Sequence, residues 1–322
     1  MSFFERMRIP LVAAHPDDEV LGCSDTIAKV IPVVVKASDT YPLSVVIPTL
    51  GCNSLINTLN VLNVGSKVPA EIIVCIPEQE AEFLPQLPWA NVKVLKTSVR
   101  GQVAQRAEGF NQVNQPYVMQ LDDDVQISSE SMQHLINELT RLGIGSAVAP
   151  IYLDERTGKC IHRHPVGLRG ILSNLSGVIF SGAPWGKKRI GCITPSGTNY
   201  GVDVNQMEED VMQVEWAPGG CLMHHSESLC TENFFPFPGK AYCEDLIHSH
   251  ILRQKKVELY VVKAATSKIE NPDLPKAGKE LNADMRARLY FNQLRGVPLY
   301  RFYIWQVITY MKSIIFSIFW TG

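Results

Sequence analysis

Between residues 43 and 262 the chain alternates between two hydrophobic patterns. Short continuous apolar runs read as buried strands. Between them lie segments whose apolar residues recur every three or four positions, as on one face of a helix. Ser44-Val45-Val46-Ile47-Pro48-Thr49 is the first run. Gly51-Cys52-Asn53 then turns into a helical pattern carried by Leu55, Ile56, Leu59 and Leu62. Residues 71–76, stopped by Pro77, predict a second strand, and residues 92–95 a third. A helix is expected over 101–111, a fourth strand over 117–121, and a helix over 128–142 capped by Ser128 or Ser129. Periodicity weakens across 143–212, which is rich in Gly, Ser and Pro and carries Arg163, Arg169, Lys187, Lys188 and Arg189. That stretch reads as a solvated excursion, or as loops that meet an anionic or glycan acceptor. Strand-like sequence returns at 216–223. A helix follows over 244–254, with Leu246, Ile247 and Ile251 on its apolar side, and a strand over 257–262.

Strands alternating with helices predict an α/β fold whose mixed, mostly parallel sheet is flanked by helices. Ligands of such sheets bind beyond the carboxyl ends of the strands. The C-terminal segment has another character. Tyr300, Tyr303, Ile304, Val307, Ile308, Met311, Ile314, Ile315 and Ile318 follow helical spacing, opposite Arg301, Gln306, Thr309, Lys312, Ser313 and Ser317. Lys312 would lie near mid-bilayer in a spanning helix, which is costly. An amphipathic helix in the plane of a membrane surface is the expectation for 299–322, against packing on the protein's own core or a span. The expected parts are therefore an N-terminal stub at 1–40, the α/β domain at 43–265 and a helical tail at 280–322.

Composition narrows the function. Charged residues make up 19% of the 322 and the net charge is −2. No basic face stands out, so nucleic acid is not an expected partner. The eight cysteines form no C-x-x-C pair and no zinc-ligand spacing. Reduced thiols and a cytoplasmic setting follow as the default.

The chemistry concentrates where the fourth strand ends, at Leu121-Asp122-Asp123-Asp124. If the strand continued through the triplet, Asp122 and Asp124 would share a face and Asp123 would turn away. Two carboxylates so placed suit a hard divalent cation, Mg²⁺ or Mn²⁺, that grips a diphosphate. A solvated acidic turn is the plainer alternative. His224 and His225 could bind metal but read more simply as polar residues at a strand's end.

Four segments, in order, resemble the family 2 glycosyltransferases of GT-A fold over about residues 43–262. They are Ser44–Thr49 as the opening strand, Arg100-Gly101 through Arg106 to Asn111 as the helix before the metal strand, the Asp triplet as the D-x-D, and Glu244-Asp245 as the acidic base motif. The resemblance implies transfer of a sugar from a nucleotide-diphosphate donor, with inversion. It implies Asp122 and Asp124 at the metal, with Asp122 and Asp123 also near the donor. Asp245 would be the general base, with Glu244 in reserve. Pro48 and Thr49 would flank the nucleotide base, and Gly219 and Gly220 would let backbone pass close to a sugar. Arg100 and Arg106 either meet phosphates or pair with acids. Two departures stand out. Only Glu78 could replace an acidic pair expected after the second strand, and no histidine follows the last strand. Family habit and the C-terminal helix together imply a glycan or lipid-linked acceptor, surface polysaccharide synthesis, and a peripheral position at the inner face of the plasma membrane.

A second, short resemblance lies at the N-terminus. Ala14-His15-Pro16-Asp17-Asp18-Glu19 is similar to the opening of the LmbE/PIG-L zinc deacetylases, where His15 and Asp18 would bind zinc and Asp17 would act as base. It ends by about residue 30, without the distal histidine that a catalytic zinc would need. A zinc N-deacetylase is thus one alternative function. A catalytically inactive transferase fold serving as a scaffold is the other.

Overall fold

The computed structural model describes residues 40–269 and 279–320, with Phe83 and residues 312–320 as backbone only. The stub resemblance, with His15, Asp17 and Asp18, lies outside the described residues.

In chain order the main elements are β1 (Thr40–Pro48), α1 (Ser54–Leu62), β2 (Val68–Pro77), β3 (Val92–Thr97), α2 (Gln102–Phe110), β4 (Tyr117–Leu121), β5 (Val125–Ile127) and α3 (Ser129–Leu142). They continue with β6 (Ser146–Asp154), α4 (Gly167–Ser176), β7 (Val211–Val214), β8 (Cys221–His225), α5 (Glu244–Gln254), β9 (Glu258–Ile269), α6 (Lys279–Leu294) and α7 (Tyr300–Trp320). One nine-stranded sheet runs in the order β3-β2-β1-β4-β8-β6-β9-β5, and β7 also pairs with β9. β1, β2, β3 and β4 are parallel neighbours, β8 is antiparallel to both β4 and β6, and β9 is parallel to β6. The expected mixed, mostly parallel sheet flanked by helices is the architecture found.

β1 explains why its sequence is so uniformly apolar. Val45 and Ile47 pack on one face of the sheet and Val46 on the other, and all three are fully buried. A strand covered on both faces has no polar side to alternate with. α3 is the opposite case. Met132, Leu135, Ile136 and Leu139 face the core, while its other side is solvated. Ser128, not Ser129, is its cap, because its hydroxyl accepts from the Ser131 N–H at 3.2 Å.

Several elements depart from the expected pattern. β6 lies inside the stretch read as a solvated excursion, yet all but one of its nine residues are buried. Its apolar run contains Pro150 and ends in Asp154, which masks a strand. The structure accommodates the proline at a register shift between Pro150 and Ile151. β8 starts at Cys221 rather than 216, because the preceding residues form the loop that carries Gly219. β9 runs on to Ile269, well past the expected 262. α6 falls within the expected helical tail at 280–322, but its packing differs from that of a separate tail. Its Ala287 and Phe291 join Val103, Trp216, Leu246 and Ile247 in one buried cluster, so this helix is part of the α/β body.

α7 packs through Phe302 and Gln306, which are buried, and leaves Tyr300, Tyr303, Ile304, Val307, Tyr310 and Met311 exposed. No described helix is long and apolar enough to cross a membrane.

Candidate active site

Parallel pairing brings the candidate residues together. Val46 of β1 lies in register with Gln120 of β4, so Pro48-Thr49 and Asp122 leave the sheet at the same edge. A cleft of about 680 Å³ opens there. Pro48, Thr49 and Leu50 form one side, Arg100, Gly101 and Gln102 another, and the loop Gly239-Lys240-Ala241 closes over Asp122, Asp123 and Asp124.

The Asp triplet is a turn, not a strand extension, so the alternation of faces ends at Leu121. Each carboxylate has its own surroundings. Asp122 accepts from Gln102 Nε2 at 2.7 Å and from Arg106 Nη2 at 2.8 Å. Its backbone N–H donates to Gly220 O at 2.8 Å, which pins the turn to the loop before β8. Asp123 points back toward the end of β1, where its Oδ2 accepts from Thr49 Oγ1 at 2.5 Å and from Cys52 Sγ at 2.9 Å. Its carbonyl accepts from Thr58 of α1. Asp124 faces the cleft. Partial loss of water, and then the charges of Asp122 and Asp123, push its carboxyl up to about 6, with Lys240 pulling slightly the other way.

Behind these side chains lies a buried ion-pair network. Arg106, on α2, is only 3% exposed. Its Nη2 holds Asp122, and its Nη1 donates to Glu244 Oε1 and Oε2 at 3.1 and 3.2 Å. A guanidinium suits this position because it stays charged when buried and presents forked donors. Burial raises the Glu244 carboxyl even though Arg106 opposes the rise. Asp245 sits beside it on the first turn of α5 and accepts the Gly219 N–H at 2.9 Å. Burial, followed by the neighbouring Glu244 charge, pushes Asp245 up to about 8.

Gly219 is required here by space. A Cβ would stand 2.7 Å from both Asp245 Oδ1 and Glu244 Oε1. At Gly220 a Cβ would stand 3.0 Å from Asp122 Oδ2. The Gly219 carbonyl is in turn held by Gln120 Nε2 at 2.6 Å.

The structure thus groups Pro48, Thr49, Arg100, Asp122, Asp123 and Asp124 around one cleft, with Arg106, Gly219, Gly220, Glu244 and Asp245 directly behind it. Glu78 is exposed and does not line the cleft. Arg100 lies 3.5 Å from Glu80 and is largely exposed. His224 lies apart from the cleft lining, fully buried next to the His248 ring, and desolvation pushes it down to about 3. His225 contacts the Leu139 carbonyl through Nε2 at 3.2 Å. Among the described residues no group of three His, Cys, Asp or Glu side chains could by itself hold a metal ion.

Four polar cleft residues carry no signal that the sequence singles out: Cys52, Gln102, Gln105 and Lys240. Gln105 donates to the carbonyls of Thr49 and Cys75, both at 2.8 Å, and so ties the ends of β1 and β2 together. Gln102 was accessible in principle, because it lies on the helix whose arginine was singled out. Lys240 sits in a Pro/Gly-rich loop that carries no periodic signal.

This architecture is the GT-A fold. Residues 44–176 match the family model described as Glycosyl transferase family 2. The chain is similar in fold to a solved structure, GalNAc-T7 with UDP, GalNAc and Mn²⁺. The two share 14% identity with a TM-score of 0.51, over 79% of this chain and 49% of that one. The chain therefore spans about half the length of that structure. No curated protein matches it.

Proposed function

We propose that the protein transfers a sugar from a nucleotide-diphosphate sugar to a glycan or lipid-linked acceptor, with inversion, in the synthesis of a surface polysaccharide. The observation that carries this reading is the division of labour among the carboxylates. Asp122 is held by Arg106, Asp123 by Thr49 and Cys52, and Asp124 is the most exposed of the three, its charge opposed by both neighbours.

That surplus charge fits a divalent cation. Mg²⁺ typically takes one or two protein carboxylates and completes its shell with water and substrate phosphates, so a three-residue cage is not needed. Asp124, with Asp122, would hold Mg²⁺ or Mn²⁺, which when bound neutralises the leaving diphosphate. The chain's own residues supply the rest. Pro48 and Thr49 would flank the nucleotide base. Lys240, on the opposite wall, adds positive charge near the diphosphate. Gly219 and Gly220 keep the backbone low beneath the sugar.

Asp245 would take the acceptor hydroxyl's proton. A carboxylate raised toward neutrality is a stronger base than an ordinary one. Arg106 pairs with Glu244, and the Gly219 N–H holds the Asp245 side chain. The acceptor would arrive at a membrane surface on which the outward apolar stripe of α7 rests, with the enzyme at the inner face of the plasma membrane. The working units are the α/β body, which takes in α6, and the tail helix α7.

The test is a hydrolysis screen across nucleotide sugars with Mg²⁺ or Mn²⁺, repeated with Asp124→Ala and Asp245→Asn. One donor should be turned over in a metal-dependent way that Asp124→Ala abolishes. Absence of binding or turnover for every donor, or full activity in Asp124→Ala, would refute the proposal. Flotation with vesicles tests the membrane seat through Ile304→Ser/Val307→Ser/Met311→Ser. Equal binding by this variant and the parent would remove that part.

A further inference from the structure

α4 presents its apolar side to solvent, the reverse of what a helix in a folded domain does. Leu168, Ile171, Leu172 and Leu175 recur at helical spacing, and all are exposed, Leu168 at 73%. The stripe continues through the wide turn Gly177–Ser181, where Val178, Ile179 and Phe180 are also exposed, and Trp185 follows at 55%. Only Gly170 of α4 is buried. Contiguous apolar surface of this extent marks a contact with something other than water.

Charge says what that contact is. From residue 156 to residue 202 the chain contains no Asp or Glu, but seven cations: Arg156, Lys159, Arg163, Arg169, Lys187, Lys188 and Arg189. Arg163, Arg169, Lys187 and Lys188 are exposed around the stripe. Arg189 is buried over the Tyr200 ring, and Lys187 pairs with Glu208 at the margin. Residues 285–322, which include α7, likewise contain no acid and five cations. The chain's 32 acids all lie outside these two segments, so its net charge of −2 conceals two acid-free stretches.

The two segments touch. Arg301, on the first turn of α7, donates from Nη1 to the Ile179 carbonyl at 3.3 Å. The outward stripe of α7 thus begins beside the turn that ends the stripe of α4. Apolar side chains ringed by cations complement an anionic lipid surface, whose headgroups attract the cations while its acyl boundary takes the apolar groups. A second copy of the chain is a poorer occupant, because like-charged rims would meet across the contact.

We infer that α4 and the turn after it form a second membrane-contacting element, which together with α7 seats the protein on an anionic bilayer. The inference rests on the proposed membrane seat of α7, and the experiment separates the two. The full chain, its Leu168→Ser/Ile171→Ser/Leu175→Ser variant and the α7 variant above are floated with phosphatidylcholine vesicles, with and without about 30% phosphatidylglycerol. The α4 substitutions lie on an exposed face away from the cleft, so melting temperature and donor hydrolysis should not change. The parent should partition more strongly to anionic vesicles, and the α4 variant should bind them about tenfold more weakly, since affinity follows buried apolar area. Parental flotation of the α4 variant, with the α7 variant impaired, would overturn the inference and leave the α7 reading standing. Parental flotation combined with a smaller oligomer by light scattering would reassign the stripe to self-association. Failure of the parent to float would sink both.

Discussion

Asp122 and Glu244 share one guanidinium: Arg106 holds the first at 2.8 Å and the second at 3.1 Å. The cleft-side carboxylate and the helix that carries the proposed base are thereby fixed to each other through a side chain that is itself buried.

Arg106→Gln should therefore be far more damaging than a surface arginine change. It leaves Glu244 buried without its counter-ion, a defect that costs about 3–5 kcal/mol. Chemical denaturation should show that loss. Arg106→Lys keeps the charge but not the fork, and should lie between the two. A loss below about 1 kcal/mol for Arg106→Gln would mean that the network is not structural.

Asp124→Asn removes the most exposed carboxyl of the triplet. Calorimetry should show Mn²⁺ binding lost in the presence of nucleoside diphosphate, and turnover should fall about 10²–10³-fold. In the parent, Asp124 gains a proton as pH falls through about 6. Mn²⁺ affinity should accordingly weaken about tenfold between pH 7 and pH 5, because the ligand must be ionised to bind.

The general-base reading fixes the sign of the pH–rate profile. Asp245, held up to about 8, is in its basic form only as pH rises through that value. The kcat/KM at pH 7 should be about a tenth of its alkaline plateau. A profile flat from pH 6 to pH 9 would transfer the role to another group.

Asp245→Asn should separate activity from stability. Turnover falls about 10²–10⁴-fold. The folded state gains, because the parent's Asp245 has a higher pKa folded than unfolded. Below the unfolded value near 3.8 both states carry the proton and nothing is lost. Between there and about 8 the unfolded chain ionises while the folded one resists, so the parent grows progressively less stable. The variant's advantage should be small at pH 4 and reach about 4 kcal/mol at pH 7. The amide oxygen can still accept the Gly219 N–H, so the loop need not move.

Gly219→Ala is the steric counterpart. The added methyl must displace the Asp245 and Glu244 carboxylates, each 2.7 Å from where it would stand. A destabilisation of about 1–3 kcal/mol is expected, with kcat falling more than KM rises.

Much of this site was readable before the structure, for a physical reason. Pro48, Thr49, Asp122 and Asp124 stand where apolar runs stop, and a run that stops at a sheet edge leaves its next polar residues at the ligand side. What could not be read was partnership. Nothing in the sequence says that Arg106 bridges Asp122 and Glu244 rather than meeting a phosphate, because the three come from α2, the turn after β4 and α5. Lys240 was invisible because loops have no period. β6 was missed because Pro150 interrupts a run that is otherwise buried on both faces. The Asp triplet misled in one respect: strand alternation was carried one step too far, into a turn whose side chains are aimed by Arg106, Thr49 and Cys52 instead.

The strand order has a consequence for how the chain acquires its shape. β8 and β9 come late in sequence but lie inside the sheet, and β5 has only β9 to pair with. Until β8 has been synthesised, at residue 225, β4 presents a bare edge and β6 has no neighbour, and until residue 269 the other edge of β6 stays open and β5 has no partner. Those edges are templates for pairing with other chains. A nascent or truncated chain that ends between β6 and β9 should therefore be the aggregation-prone form, and slow translation over that interval the moment when a holding chaperone matters most.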